Sequence, residues 1–308
     1  MPKRIVLFLL LFCLAFPACL GEAVQVDSPD EMPEVNADGF LESGSPGYYY
    51  MDHASGIWLY TDADTRLEIT RHQTKSPALT YYTAEIYCRR GTNLFTSSWN
   101  QEKPGRSNAL PQDIAVRDRV VYAQSGDFYS YRVKNDRYPG IIIRDGKTLY
   151  KKTYSKYVHA VPNLATLALF AAGRAEVHES FEVSAKEFQS QGAENVLAFG
   201  PILIRDGEIQ DLSHKDYSHQ EPRSCLGIVD DGHYIGLLVE GRKNHSEGAT
   251  LEECAEILWN LGCNDAINLD GGNTSAMLFM GQSVQLSNSG GVDVNDRSIP
   301  DILCAGRY

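Results

Sequence analysis

Residues 266–277 read AINLDGGNTSAM, and the reading of this stretch decides the rest. Ala266, Ile267 and Leu269 form a core strand directly after a helical pattern, and Asp270 closes it. Gly271 and Gly272 then let the backbone turn sharply or approach a ligand closely. Asn273, Thr274 and Ser275 add an amide, hydroxyls and exposed N–H groups. A carboxylate at a strand end beside a glycine turn suits catalysis or metal binding. It equally suits an Asx turn with no chemistry at all.

Working outward, LEECAEILWNL (251–261) follows Thr250 with Glu253 three residues on, a capping box, and Gly262 stops the helix. A second helix is expected from Ser184 to Ser190, feeding a strand at Asn195–Phe199, and a third over 163–172 (NLATLALFAA). The segments 140–149, 200–209 and 227–240 each place Asp-Gly between apolar runs, the pattern of strand, tight turn, strand. The first two share the string Ile-Arg-Asp-Gly, which hints at two related sub-units. The fold class is therefore α+β: a single domain of mixed or antiparallel sheets with hairpins and a few packed helices.

The chain has 308 residues and a net charge of -12, which argues against a protein that tracks nucleic-acid phosphates. Residues 24–65 hold nine acids and no Lys or Arg, whereas residues 66–308 hold 26 basic and 30 acidic side chains. The stretch 24–47 has too few apolar residues to offset chain entropy and reads as an acidic flexible linker, with a strand-rich extension over 48–109. Lys3 and Arg4 precede twelve apolar residues, Ile5 to Phe16, followed by PACLGEA. As a helix this run rises about 18 Å, short of a ~30 Å hydrocarbon core. Residues 1–23 thus read as a signal peptide, and Cys19 as a candidate lipid anchor, so a secreted or extracytoplasmic protein is expected, with membrane contact through export or that anchor alone. Seven cysteines are too few for a disulfide scaffold, and five follow residue 23. Cys254 and Cys263 are the candidate pair; small buried thiols are the alternative.

Two further sites interrupt apolar runs. In QSGDF (124–128) a strand again ends in a glycine and an acid, Asp127. Arg223 and Arg242 lie at the ends of apolar strands, where a guanidinium needs an anion: an internal carboxylate or a substrate phosphate or carboxylate. Taken together, these strings resemble the phosphodiester glycosidase domain family. NLDGGNTSAM resembles its NLDGG-x-S-x-M signature. Ser125-Gly126-Asp127-Phe128, Gly200-Pro201-Ile202-Leu203, Pro222-Arg223-Ser224 with Gly227, Glu240-Gly241-Arg242, Gly248 with Thr250-Leu251 and Glu253, and Asn288 with Asp296-Arg297 follow the family order, a resemblance over residues 110 to 306 that implies a domain over 110–308. Ser125, Glu240 and Asn273 depart from the usual Asn, Asp and Gly, and Asn288 leads into Ser289-Gly290-Gly291 instead of a proline turn.

The resemblance implies cleavage between a sugar C1 and a phosphate oxygen, with a carbohydrate or sugar phosphate as partner. Phosphate leaves readily, so the site must hold the departing anion and stabilise an oxocarbenium-like centre. Asp127, Asp270 and Glu240 are the expected catalytic carboxylates. Arg223, Arg242, Gly271, Gly272, Asn273, Thr274, Ser275, Asn288 and Arg297 are the expected substrate contacts. The chemistry needs no cofactor; a divalent cation on Asp127, Asp270, Asn273 and Asn288 is the minority alternative. His214, His219 and His245 lie in polar loops near the arginines and are secondary acid/base candidates. Two other functions stay open: hydrolysis of a glycosidic bond without phosphate, and non-catalytic glycan binding on the same scaffold.

Overall fold

The computed structural model describes residues 23–154, 163–289, 291–293 and 296–308. The expected signal segment, with Cys19, lies outside them except for its last residue, Ala23. The described strands form three sheets of ten, five and five strands, and the helices are few and short. The ten-stranded sheet runs from Val24–Gln25 through the strands between Tyr48 and Cys88, then to His233–Val239, Arg223–Asp230, Asp265–Leu269, Ile202–Arg205 and Glu208–Ile209. Every pairing in it is antiparallel except the first, Val24–Gln25 on Tyr48–Tyr49. The strand-rich extension is thus continuous with the sheet that carries Asp270: Ala78–Cys88 pairs with His233–Val239 from His233 opposite Tyr87 to Val239 opposite Tyr81.

The apolar alternation explains the layers. One core joins all three sheets, with Trp58, Leu67, Ile86, Tyr122, Leu167, Leu197, Leu226, Ile267 and Leu303 buried together. A second core packs Leu251, Cys254, Ala255 and Leu258 of the helix Leu251–Asn260 on Cys225, Leu237, Val239 and Ala266. Both expected capping boxes form: Thr250 with Glu253, and Ser184 with Glu187 at the head of Ala185–Ser190. All three Asp-Gly hairpins form as well. Asp145 and Asp206 take φ of 49° and 54°, and the glycines after them 70° and 78°. The shared Ile-Arg-Asp-Gly string does not mark a repeated unit, because its two copies lie in different sheets.

Three expectations are corrected. The run 163–172 is not a helix: Ala165–Phe170 is a strand, buried on both faces between neighbours 175–178 and 193–199. A continuous apolar run has no period that separates a buried strand from a buried helix. The stretch 24–47, read as a flexible linker, packs along the sheet edge; Val26, Phe40 and Leu41 are buried, and Arg89 stacks over the Phe40 ring at 5.2 Å. Two adjacent apolar residues anchor a segment whose average composition reads as disordered. Cys254 and Cys263 are not paired: Cys88, Cys225, Cys254, Cys263 and Cys304 are all free and buried. Burial pushes the Cys88 and Cys263 thiols up to about 12, so they behave as small hydrophobes.

Between the two five-stranded sheets, Arg144 is buried to 1% side-chain exposure. It donates to Asp301 at 2.8 Å and Asp127 at 3.0 Å, and also to the carbonyls of Val196 and Ile143. Replacing it with Met should strand two buried carboxylates and cost about 3–5 kcal/mol. Urea denaturation should show the deficit shrinking as pH falls and the carboxylates take up protons. A pH-independent deficit, or none, would show that the ion network carries no weight.

Candidate active site

Asp270 stands one residue beyond the strand Asp265–Leu269, whose Ala266–Leu269 are buried. Three strings far apart in sequence meet here through their backbones. The Asp270 N–H donates to Gly126 O at 2.8 Å, and the Ser125 hydroxyl donates to Asp270 O at 3.0 Å. The Gly272 N–H donates to Pro222 O at 2.8 Å. A Cβ on Gly271 would stand 2.6 Å from that same carbonyl, so only glycine fits the crossing.

Next to this junction opens a cleft of about 290 Å³. Of the predicted residues, Glu240, Arg242, Gly272, Asn273, Ser275 and Asn288 line it. Asp127, Asp270, Arg223, Gly271, Thr274 and Arg297 do not, although Gly271 and Thr274 belong to the same turn and Asp270 precedes it. Sequence reasoning missed Lys243, Gln285 and Asp293, and used Asp296 only as a motif match. Lys243 sits three residues after Glu240 and immediately after the Glu-Gly-Arg string, so proximity to the motif was its signal. Gln285 and Asp293 come from an irregular segment with no period to read.

The lone pairs of the three expected catalytic carboxylates separate their roles. Asp127 is fully buried and gives one oxygen to Arg144 and the other to the Ala198 N–H, both at 3.0 Å. Glu240 is 1% exposed. Its Oε1 accepts from the Tyr82 hydroxyl at 2.6 Å and the Leu286 N–H at 2.8 Å. Its Oε2 meets Lys243 Nζ at 3.0 Å and His245 Nε2 at 2.7 Å. Both oxygens of each carboxylate are therefore already engaged by donors, Glu240 on the cleft wall and Asp127 away from it. Asp270 differs: its Oδ2 is buried with no hydrogen-bond partner. Burial raises its pKa from 3.8 to about 6, against opposing help from Thr274, Arg132 and Arg297.

The arginines divide too. Arg223 lies on neutral carbonyls, Ala249 O at 2.9 Å and His219 O at 2.6 Å, so its anchor is backbone instead of an anion. Arg242, at φ 59°, pairs with Glu221 and donates to Asn273 Oδ1 at 2.8 Å, yet its side chain remains 52% exposed on the cleft wall. Arg297 stacks over the Phe128 ring at 5.2 Å. The Gly272 and Thr274 N–H groups are engaged within the fold, whereas those of Gly271 and Asn273 have no backbone acceptor among the described residues. Of the four oxygen donors considered for a cation, Asp127, Asn273 and Asn288 already accept from N–H groups. His245 is held by Glu240, while His214 caps its own turn and His219 offers only its carbonyl.

An antiparallel α+β scaffold with a polar cleft built from strand-end loops is the class this arrangement defines. The phosphodiester glycosidase family model matches residues 118–305, and the chain belongs to that family. Among curated proteins, it is 30% identical over 194 residues to the SPbeta prophage-derived uncharacterized protein YomE of Bacillus subtilis (strain 168). The match covers 62% of this chain and 28% of that protein, so the chain spans less than a third of the relative's length. Among solved structures, the zebrafish N-acetylglucosamine-1-phosphodiester alpha-N-acetylglucosaminidase catalytic domain, auto-inhibited by pro-peptide, superposes with a TM-score of 0.57 at 17% identity. That superposition covers 87% of this chain and 86% of the other. A hypothetical protein from Synechocystis follows at 0.51 and 14% identity, covering 85% and 64%. These superpositions bear on the fold alone.

The Asp270 shift carries a stability consequence. A carboxyl whose folded pKa lies above its unfolded value favours the fold while protonated and loses that contribution as pH rises through about 6. Asp270→Asn should therefore be more stable than the native chain at pH 8, by up to about 3 kcal/mol. The gain should vanish below about pH 4. Thermal or urea unfolding across that range checks it; a variant less stable at pH 8 contradicts it.

Proposed function

We propose that the chain is an exported glycoside hydrolase that cleaves the bond between a sugar C1 and a phosphate oxygen. Family membership supports the reaction class, and the basic start and short apolar run of residues 1–23 support export, with Cys19 as an alternative tether. One observation carries the catalytic assignment: of three expected carboxylates, Asp270 alone keeps an unclaimed oxygen, and it stands where three family strings meet.

In this reading Asp270 is the working carboxylate. At neutral pH it is mostly ionised, with a pKa near enough to accept a proton from water or to face the positive charge that develops at C1. Phosphate needs little protonation to leave, so no second carboxyl with a free proton is required. Arg242 and the N–H groups of Gly271 and Asn273 are the donors left for the departing anion. Asp127 and Glu240 position the loops that carry them. The partner is a carbohydrate or sugar phosphate, nucleic acid has no part, and the chemistry is written with this chain's residues alone.

The cleft's own charge favours a second reading. Its lining holds three acids, Glu240, Asp293 and Asp296, against two bases, Arg242 and Lys243, and Lys243 is already held by Glu240, Asp293 and Leu286 O. Such a wall suits a neutral glycoside. Sugar release from a sugar 1-phosphodiester and from the matching p-nitrophenyl glycoside separates the two. The first reading expects the phosphodiester to be preferred, and Arg242→Ala to lower its kcat/KM by roughly a hundredfold while barely touching the neutral substrate. Preference for the neutral glycoside selects the second. The pH profile of kcat/KM should rise through about 6 as Asp270 ionises. Asp270→Asn should lower kcat by 10³-fold or more, as an order of magnitude. A variant that keeps native turnover removes Asp270 from the chemistry.

A further inference from the structure

A second hollow, of about 500 Å³, opens on the surface around Trp99, Asn100, Gln101 and Glu102. Trp99 follows the strand Phe95–Ser98 and keeps 38% of its surface exposed. Its ring rests against the Arg117 guanidinium at 5.0 Å. That guanidinium is itself immobilised: Nε and Nη2 reach the two Asp118 oxygens at 2.6 Å each, Nη2 also meets the Ser98 carbonyl and Nη1 the Trp99 carbonyl. The indole is therefore supported by a rigid group whose charge a bidentate carboxylate cancels. On the rim, the Trp99 indole N–H and the Glu102 carboxylate carry no hydrogen bond among the described residues. One is a donor only and the other an acceptor only.

A flat aromatic face, an unclaimed donor, an unclaimed acceptor and side-chain amides match a pyranose ring, which offers apolar C–H faces and hydroxyls that both donate and accept. The local cation is neutralised and Glu102 adds negative charge, so the chemistry fits an uncharged sugar and disfavours phosphate or uronate. The position fits as well. The Trp99 backbone N–H donates to Pro300 O at 2.9 Å, and Asp296, four residues before Pro300 in the chain, lines the Arg242 cleft. Four residues span at most about 14 Å.

We propose that Trp99, with Glu102 and the adjacent amides, is a second sugar-binding site that holds an uncharged pyranose unit of a longer glycan beside the catalytic cleft. The choice of occupant rests on the glycan-processing reading above; the geometry does not. Calorimetric titration of the full chain with maltotetraose, cellotetraose and tetra-N-acetylchitotetraose tests it. At least one should bind, with little dependence on salt and a change in tryptophan fluorescence. Trp99→Ala should weaken that binding roughly tenfold. Trp99→Phe, which keeps a ring, should retain most of it, and Glu102→Gln, at the exposed rim, should weaken it about threefold. No binding of any of the three sugars, or equal affinity in Trp99→Ala, overturns the proposal. Trp99-dependent binding without sugar release from any substrate would support it while removing the hydrolase reading.

Discussion

A guanidinium taken out of water is tolerated only where carboxylates and carbonyls surround it, and Arg144 meets that condition between the two five-stranded sheets. Asp301 reaches it from the strand that borders Val120–Ser125, and Asp127 from the loop just beyond that strand. Val196 and Ile143 add carbonyls from the second sheet. The loop 125–128 is therefore fixed by a charge that has nowhere else to go. From it, Gly126 offers the carbonyl that receives the Asp270 N–H, and Ser125 the hydroxyl that holds the Asp270 carbonyl. The site inherits its geometry from this buried ion network.

Glu240 does on the other side what Arg144 does here. Four donors converge on it, from Tyr82, Leu286, Lys243 and His245, and they bind the cleft's outer loops to the strand Ala78–Cys88. With both oxygens of Asp127 and Glu240 engaged, Asp270 is the one of the three expected catalytic carboxylates that keeps a buried oxygen without a partner; Asp301 Oδ1 shares that condition beside Arg144. A buried oxygen without a partner destabilises the native state, and its raised pKa expresses that cost. A perturbed carboxyl beside a cleft is a functional-site candidate on physical grounds.

Much of this was legible in the sequence. Asp-Gly turns, capping boxes and the Ala266–Leu269 strand are local features, and local patterning predicts them. The meeting of 124–128, 222–224 and 268–275 followed from family resemblance, since no spacing reveals contacts across 100 residues. Partners were not legible. Arg144 and Arg205 share the string Ile-Arg-Asp-Gly, yet one is buried between two aspartates and the other pairs at the surface with Glu182. Asp127 read as a catalytic acid because a strand again ends there in a glycine and an acid; that its carboxylate pairs with a guanidinium seventeen residues away was not visible in that pattern. The run 163–172 was misread because burial on both faces erases the period on which the reading depends.

The account stands or falls on where a bound sugar places its anomeric carbon. A crystal structure with a sugar 1-phosphate bound tests this directly. The account predicts the phosphate against Arg242 and Asn273, C1 facing the Asp270 carboxyl, and Asp127 still bonded to Arg144. A sugar whose C1 contacts Asp127 or Glu240, with Asp270 remote from the ligand, would contradict it.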